Sequence, residues 1–505
     1  MSQSRTNNDN DKRTVAVHAL GTPSEIKSTG TGEVDTEEFP EGGRGWLVIA
    51  GTFVIMAVSF GFVSAYGAYQ AYYLTRFPTT SQSIMMMIGS LQPFLIYASG
   101  APTILLIHAM GAKTVIAISG VILVTSLMVI PECKSVWQLF LAQGVLYGFG
   151  SGLGVFVSYS VPQQWFKRKR AFAVGIAASG SSVGGLLWPV IFELIKDKKG
   201  FTWANRAMGF IIIPLMIFAS FAIKERHHGQ DAFKHPAVAD EPDEATFGIV
   251  DENMLQHNST EPKNPTVEHQ ENVSAVSRSL QPPQPSVHAP IPEAVPNHKA
   301  KIIDWSVVKD FRFCLILLTT FIAFFAVFPP LFFLPSYAQR VPGITPKVAK
   351  YILTICNSAS VLGRITPGFV GDRIGRLNTL IPSIFLCGIL QLALWLPARG
   401  DALIILFALS FGFFSGAIVA LFPACLGQLF GIHNLRSRLC IMFLIGAPSS
   451  FAGPAICGLF LPLPSEPGIT GYNKLIIFCS MLTIGSGAIL LYCRLLISTK
   501  LRSFV

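Results

Sequence analysis

The chain alternates long apolar runs with short polar breaks, and the runs have the length of a bilayer crossing. A membrane-spanning helix needs about 20 predominantly apolar residues. Windows of that length fall at 46–74, 84–107, 114–131, 136–160, 170–195 and 202–223, then again at 311–337, 348–371, 378–397, 401–426, 436–461 and 473–497. The pattern predicts six spans, a polar interval and six more. The interval 224–310 is rich in Pro, Asn, Gln and acidic residues, as in Gln281-Pro282-Pro283-Gln284-Pro285. Such a composition cannot bury enough apolar surface to offset chain entropy, so a disordered linker is expected.

Residues 1–45 are also polar and lack the apolar core and small-residue cleavage site of a signal peptide, so the first span is expected to target the chain. The predicted fold class is an all-α membrane protein of twelve transmembrane helices in two six-helix bundles. Its parts are a disordered tail (1–45), a first bundle (46–223), the linker (224–310), a second bundle (311–497) and a short tail (498–505).

Composition agrees with that reading. Of 505 residues, 51% are hydrophobic and only 13% charged, with a mean hydropathy of +0.51; an aqueous globular surface needs far more charge. The net charge of +10 raises the question of nucleic acid. Removing the tail (5 basic, 8 acidic) and the linker (8 and 14) from the whole chain (38 and 28) leaves 25 basic against 6 acidic residues. The positive charge therefore lies beside the spans, where anionic lipid head groups attract it, and no nucleic-acid module is implied. The nine Cys show no paired or metal-binding spacing, so free thiols are expected, with Cys133 alone in a short connection.

An even number of spans puts both ends and the linker on one side. Lys and Arg in short loops and flanks number 17 there, Lys167 to Arg170 among them, against 10 opposite. The excess predicts a cytosolic linker and termini.

The segment after the eighth span reads Gly371-Asp372-Arg373-Ile374-Gly375-Arg376. Aligned on glycine, the segment after the second span, Ile107-His108-Ala109-Met110-Gly111-Ala112-Lys113, is a worn copy with His108 at the Asp position. Two six-span halves with this echo resemble the major facilitator superfamily and its Gly-Asp-Arg-x-Gly-Arg loop, which implies halves that rock around a central site. Asp372, Arg373, Gly375, Arg376, His108 and Gly111 are then the expected gating residues. Two further stretches resemble the monocarboxylate porter family, particularly its fungal members. They are Pro40-Glu41-Gly42-Gly43-Arg44-Gly45-Trp46, entering the first span, and Trp165-Phe166-Lys167-Arg168-Lys169-Arg170 with the small-residue run to Gly180 that follows it, entering the fifth. Independently of the family, Trp46 is placed to anchor a span at the interface and the basic run to stop it at the cytosolic face.

Arg364, in the eighth span, is the most informative residue. An intramembrane guanidinium is costly, so it faces a cavity or a partner rather than lipid, and it can grip a carboxylate bidentately. Snorkelling to the cytosolic end is the alternative. The family's animal lactate carriers place an Asp four residues earlier and a Lys in the first span; here Ser360 and Ser64 stand there, a departure from proton-coupled lactate transport. Further candidates for the substrate site are Tyr66 and Tyr69 of the first span and Phe325 and Phe328 of the seventh, with packing as their competing role. Pro329, Pro330 and Pro335 are expected to break the seventh span locally. Glu193 is the acidic residue placed to carry a proton, against a purely structural role at its outer-end position.

Gly180-Ser181-Ser182-Val183-Gly184 matches a nucleophile pattern but lies within a span, without the strand-turn-helix elbow that chemistry needs. No phosphate-binding loop, metal cluster or cofactor motif occurs, and no catalytic residue is expected. The sequence therefore reads as a secondary transporter of a small organic solute that bears a carboxylate, with a proton as candidate co-substrate and one chain as the transport unit. Export of a secondary metabolite, carriage of a flavin-like compound and a non-transporting nutrient sensor are the alternatives. The plasma membrane is the expected location, a vacuolar or other internal membrane the alternative.

Overall fold

Apolar length dictates where the helices lie, and glycine dictates where they turn. The structure, a computed structural model, describes residues 41–226, 303–431, 434–461 and 470–498. The expectations of a disordered tail and linker fall outside these residues, apart from their edges. The spans are α1 (Arg44–Arg76), α2 (82–110), α3 (112–129), α4 (Val136–Gln164), α5 (170–199) and α6 (201–222). After the linker come α7 (Phe311–Arg340), α8 (Pro346–Ile374), α9 (Arg376–Trp395), α10 (Asp401–Leu429), α11 (Leu435–Gly458) and α12 (Thr470–Ile497). Among the described residues there is no strand.

Three junctions are single glycines rather than loops, Gly375 (φ 103°, ψ 139°) between α8 and α9 and two within the first half. Gly111 (φ 79°, ψ 157°) separates α2 from α3, and Gly200 (φ 84°, ψ 170°) separates α5 from α6, in conformations that a side chain rarely tolerates. The second is a reversal. The Trp165 indole N–H before α5 donates to the Lys224 carbonyl after α6 at 2.9 Å, so the chain has come back to the face where it began. Other starts use side-chain caps: the Ser81 hydroxyl accepts the Ile84 N–H, and Asp310 accepts the Arg312 N–H at 2.9 Å.

Large apolar side chains such as Val121, Phe221, Leu362 and Met481 remain exposed on the outer faces. In a bilayer those faces are solvated by lipid tails. The halves meet where α2 packs on α11 and α5 on α8. Small residues permit the second contact: a Cβ at Gly175 would collide with the Arg364 carbonyl, and one at Gly368 with the Ala171 carbonyl.

The seventh span corrects one expectation. Despite Pro329, Pro330 and Pro335, α7 is helical from Phe311 to Arg340. Each proline removes one ladder bond, a loss that spanning helices absorb through their neighbours. The interruption occurs instead in α1, where Ser59 (φ −88°, ψ −88°) leaves the helical region and a second bend follows at Ala65.

Candidate transport site

The bends in α1 open a cavity of about 250 Å³ between the halves, extending from the level of Arg364 towards the face opposite the linker. Phe60, Tyr66, Val327, Phe328, Leu331 and Phe332 form its apolar side, and Ser64, Gln70, Gln339, Asn357, Ser360 and Arg364 its polar side. Gly67 lies at the wall, where an added Cβ would meet nothing within 4 Å. A second space of about 430 Å³ continues outward and shares Ser64, Gly67, Pro335, Gln339 and Leu353 with the first. At that outer level the Lys350 ammonium lies 3.5 Å from the Glu193 carboxylate, joining α5 to α8 across the halves.

Arg364 is held at the deep end from one edge only. Its Nη1 donates to the Ala178 carbonyl at 2.5 Å and, more closely still, to the Ser181 hydroxyl, both on α5. Its Nε is buried without a partner, and among the described residues no carboxylate pairs with it. A buried cation normally has its charge and donors satisfied. Here one side of the fork is fastened to the opposite half, while Nε on the other side is buried without a partner.

Below Arg364 an aromatic floor closes the cavity. Tyr97 packs against Phe324 and Phe443, with centroids 5.1 and 5.3 Å away, and Tyr159 lies 5.4 Å from Phe443. All four rings are buried, and they come from both halves.

Nearer the linker, polar clasps seal the same side. Asp372 accepts the Ala171 and Phe172 N–H groups at the start of α5, at 3.0 and 2.8 Å, so a carboxylate from the second half caps a helix of the first. Arg376 pairs with Asp372 at 2.8 Å and also donates to the Lys167 carbonyl, while Arg170 reaches the Gly427 carbonyl. Glu41 gathers the basic run: its carboxylate accepts the backbone N–H groups of Lys167, Arg168 and Lys169 at 2.7, 2.5 and 3.3 Å. The stretch before α1 and the basic stretch before α5 thus bind each other. Gly45 allows close packing at that junction, since a Cβ there would lie 3.0 Å from the Phe166 ring, a tight contact. Trp46 is 37% exposed and its ring lies 5.1 Å from Phe166, which is consistent with an interfacial position.

Of the residues expected to meet substrate, Arg364, Ser360, Ser64, Tyr66 and Phe328 line the cavity. Tyr69 and Phe325 do not. Tyr69 is turned into the first half, where its hydroxyl donates to Asn205 at 2.9 Å and its ring stacks on Phe192. Phe325 packs beside Phe478 of α12, and its carbonyl leaves no room for a Cβ at Gly453. Among the gating residues, Asp372 and Arg376 hold the closed side, Gly375 turns the chain at φ 103°, and Arg373 lies over the Phe369 ring at 4.0 Å. His108 stands exposed at the end of α2, three residues before the turn at Gly111. Glu193 sits at the mouth rather than the midplane.

Sequence reasoning missed Tyr97, Asn357, Gln70 and Gln339, and it quoted Glu41 within a motif without foreseeing its contact with the basic run. The three amides carried a signal, since uncharged polar side chains inside spans need partners or a cavity; Tyr97, and the partner that Glu41 finds, depend on contacts distant in sequence. All nine cysteines are free. Cys133, outside the spans, is buried, and burial raises its thiol above the ordinary range.

Residues 47–454 match the profile of the Major Facilitator Superfamily. The chain belongs to that superfamily. Its relatives include the aspyridones efflux protein apdF of Emericella nidulans, 28% identical over 85% of this chain and 74% of that protein. They also include the MFS-type transporter pynF of Aspergillus niger (27%, over 89% and 88%) and the fujikurins efflux protein of Gibberella fujikuroi (26%, over 91% and 85%). The protein is thus a multi-pass membrane transporter, and two of these relatives are named for efflux, of aspyridones and of fujikurins.

Proposed function

We propose that the protein exports an amphipathic organic acid by alternating access, with the acid group on Arg364 and the carbon skeleton against Phe60, Tyr66, Phe328 and Phe332. The observation that carries the reading is the half-used guanidinium at the bottom of an otherwise apolar and amide-lined cavity. A lactate-sized anion would leave most of the aromatic wall empty, so binding energy favours a larger skeleton. Relatives named for the efflux of aspyridones and fujikurins support cargo of the secondary-metabolite kind. The finer place, among fungal monocarboxylate porter-like members, rests on the two mutually bound stretches and on Arg364. In this reading the linker and termini are cytosolic, the cavity faces outward as after release, and one chain suffices because one chain encloses the site. With no carboxylate among the described residues that line the inner cavity, transport is facilitated or coupled through Glu193 at the mouth or Asp372.

The test compares transport of an aromatic carboxylic acid and its methyl ester by wild type and Arg364→Ala, normalised to surface protein. A charge-assisted contact contributes about 1.5–3 kcal/mol, so the variant should lose roughly ten- to hundredfold in apparent affinity for the acid and little for the ester. Arg364→Lys, which keeps charge but not the planar fork, should fall between. Equal losses for acid and ester would reject the anion-binding role.

A further inference from the structure

The clasp at Asp372 exposes an asymmetry between the halves. In the second half the carboxylate stands three residues before the Gly375 turn, caps the start of α5 and pairs with Arg376, the residue just after that glycine. By the internal repeat, the first half should cap the start of α11 with a carboxylate three residues before Gly111. That position is His108, and the residue after the glycine is Ala112. The repeat has lost both members of its ion pair.

The missing charge is supplied from elsewhere. Glu225 lies three residues past the end of α6. One carboxylate oxygen accepts the Ala112 N–H at 3.2 Å, and the other forms a close ion pair with Arg436, the second residue of α11. Ala112 follows its glycine as Arg376 follows Gly375, and Arg436 is the second residue of α11 as Ala171 is of α5. Glu225 therefore joins the same two places that an intact first-half loop would join, by bridging them with its own side chain. It is mostly buried, at 19% exposure, where an ion pair is screened less than at an open surface.

We propose that Glu225 is the first half's gate residue: together with Asp372 it forms one of two carboxylate clasps, related by the internal repeat, that hold the linker side shut. It acts as a positioning residue, since it touches α11 and the α2–α3 turn and not the cavity. Opening the linker side must separate α2 from α11, and so must break the contact with Arg436. The position is outside the repeated motif, which is why neither the motif nor charge counting marks it.

Cys440 reports the separation. It is buried on α11 against α2, where a Cβ at Gly100 would lie 3.5 Å from its Sγ. In the full-length protein in detergent, the rate of maleimide labelling at Cys440 is followed by peptide mapping, with Cys457, buried inside the second half, as internal control. No substrate is needed, so the outcome is separate from that of the anion-binding test. Glu225→Gln should speed Cys440 labelling about tenfold, the scale of one charge-assisted contact, and leave Cys457 unchanged. Glu225→Arg combined with Arg436→Glu restores the pair in reverse and should return labelling towards the wild-type rate; it also serves if the single variant does not accumulate. Wild-type labelling in Glu225→Gln, equal acceleration at Cys440 and Cys457, or fast labelling in the reversed pair would each overturn the proposal.

Discussion

Gly67 is the point where the cavity wall can be rebuilt with least disturbance. Its backbone is not in the left-handed region, and open space surrounds the position of a Cβ. The Cβ of a leucine there meets nothing within 4 Å and the change improves helix propensity by up to about 1 kcal/mol, while the branches add bulk at the wall of the cavity. Gly67→Leu should reach the membrane at wild-type levels or better, transport a bulky acid several-fold more slowly, and affect a small one less. Rates that are unchanged for both sizes, measured per surface protein, would place the transport path elsewhere. Arg364 could be found from sequence because one cation in an apolar segment must have a reason. Tyr69 could not be assigned in the same way. Spacing puts it on a helix face with Tyr66, but its orientation is fixed by Asn205, 136 residues away, which takes its hydroxyl.

Among the elements, α5 is packed against two neighbours with different tasks. At Gly180 it meets the Phe53 carbonyl of α1, inside one half, and at Gly175 it meets the Arg364 carbonyl of α8, across the halves. A valine at either position overpacks a close helix contact, at a cost of about 1–3 kcal/mol. Under the proposed alternating access, the α1–α5 contact would move as a unit, whereas the α5–α8 contact would lie where the halves turn against each other. Gly180→Val should therefore lower the melting temperature and yield. Gly175→Val should give nearer normal yield with a marked loss of turnover. Thermal melting of purified protein beside a transport assay decides it, and the reverse order of effects would put the moving boundary in the wrong place. The spans were legible as elements because apolar length is a local property. The α1 interruption at Ser59 was not: no proline marks it, whereas three prolines in α7 leave that helix unbroken. Breaks inside a bilayer depend on which neighbour can satisfy the freed groups, and a sequence window does not contain the neighbour.

For the whole molecule, the even number of spans ties the linker to the face that the clasps of Asp372, Glu41 and Glu225 hold shut. The repeat around Gly111 and Gly375 was readable, and so was the basic excess on the linker side. Which face is closed was not, because closure rests on pairs such as Arg436 with Glu225, 211 residues apart. If the basic excess sets the orientation, that closed face is cytosolic. The linker offers a direct check through Asn258-Ser259-Thr260 and Asn272-Val273-Ser274, two glycosylation sequons outside the described residues. A cytosolic segment never meets the lumenal enzyme that reads them. Both asparagines should remain unmodified in a eukaryotic host, so that digestion with an N-glycosidase leaves the gel mobility of the intact chain unchanged. A sequon-bearing extension inserted between α9 and α10, at Gly400 on the opposite face, should acquire glycan and shift on the same digestion. Glycan on Asn258 or Asn272, with none on the insertion, would invert the molecule and turn the outward-facing cavity into an inward-facing one.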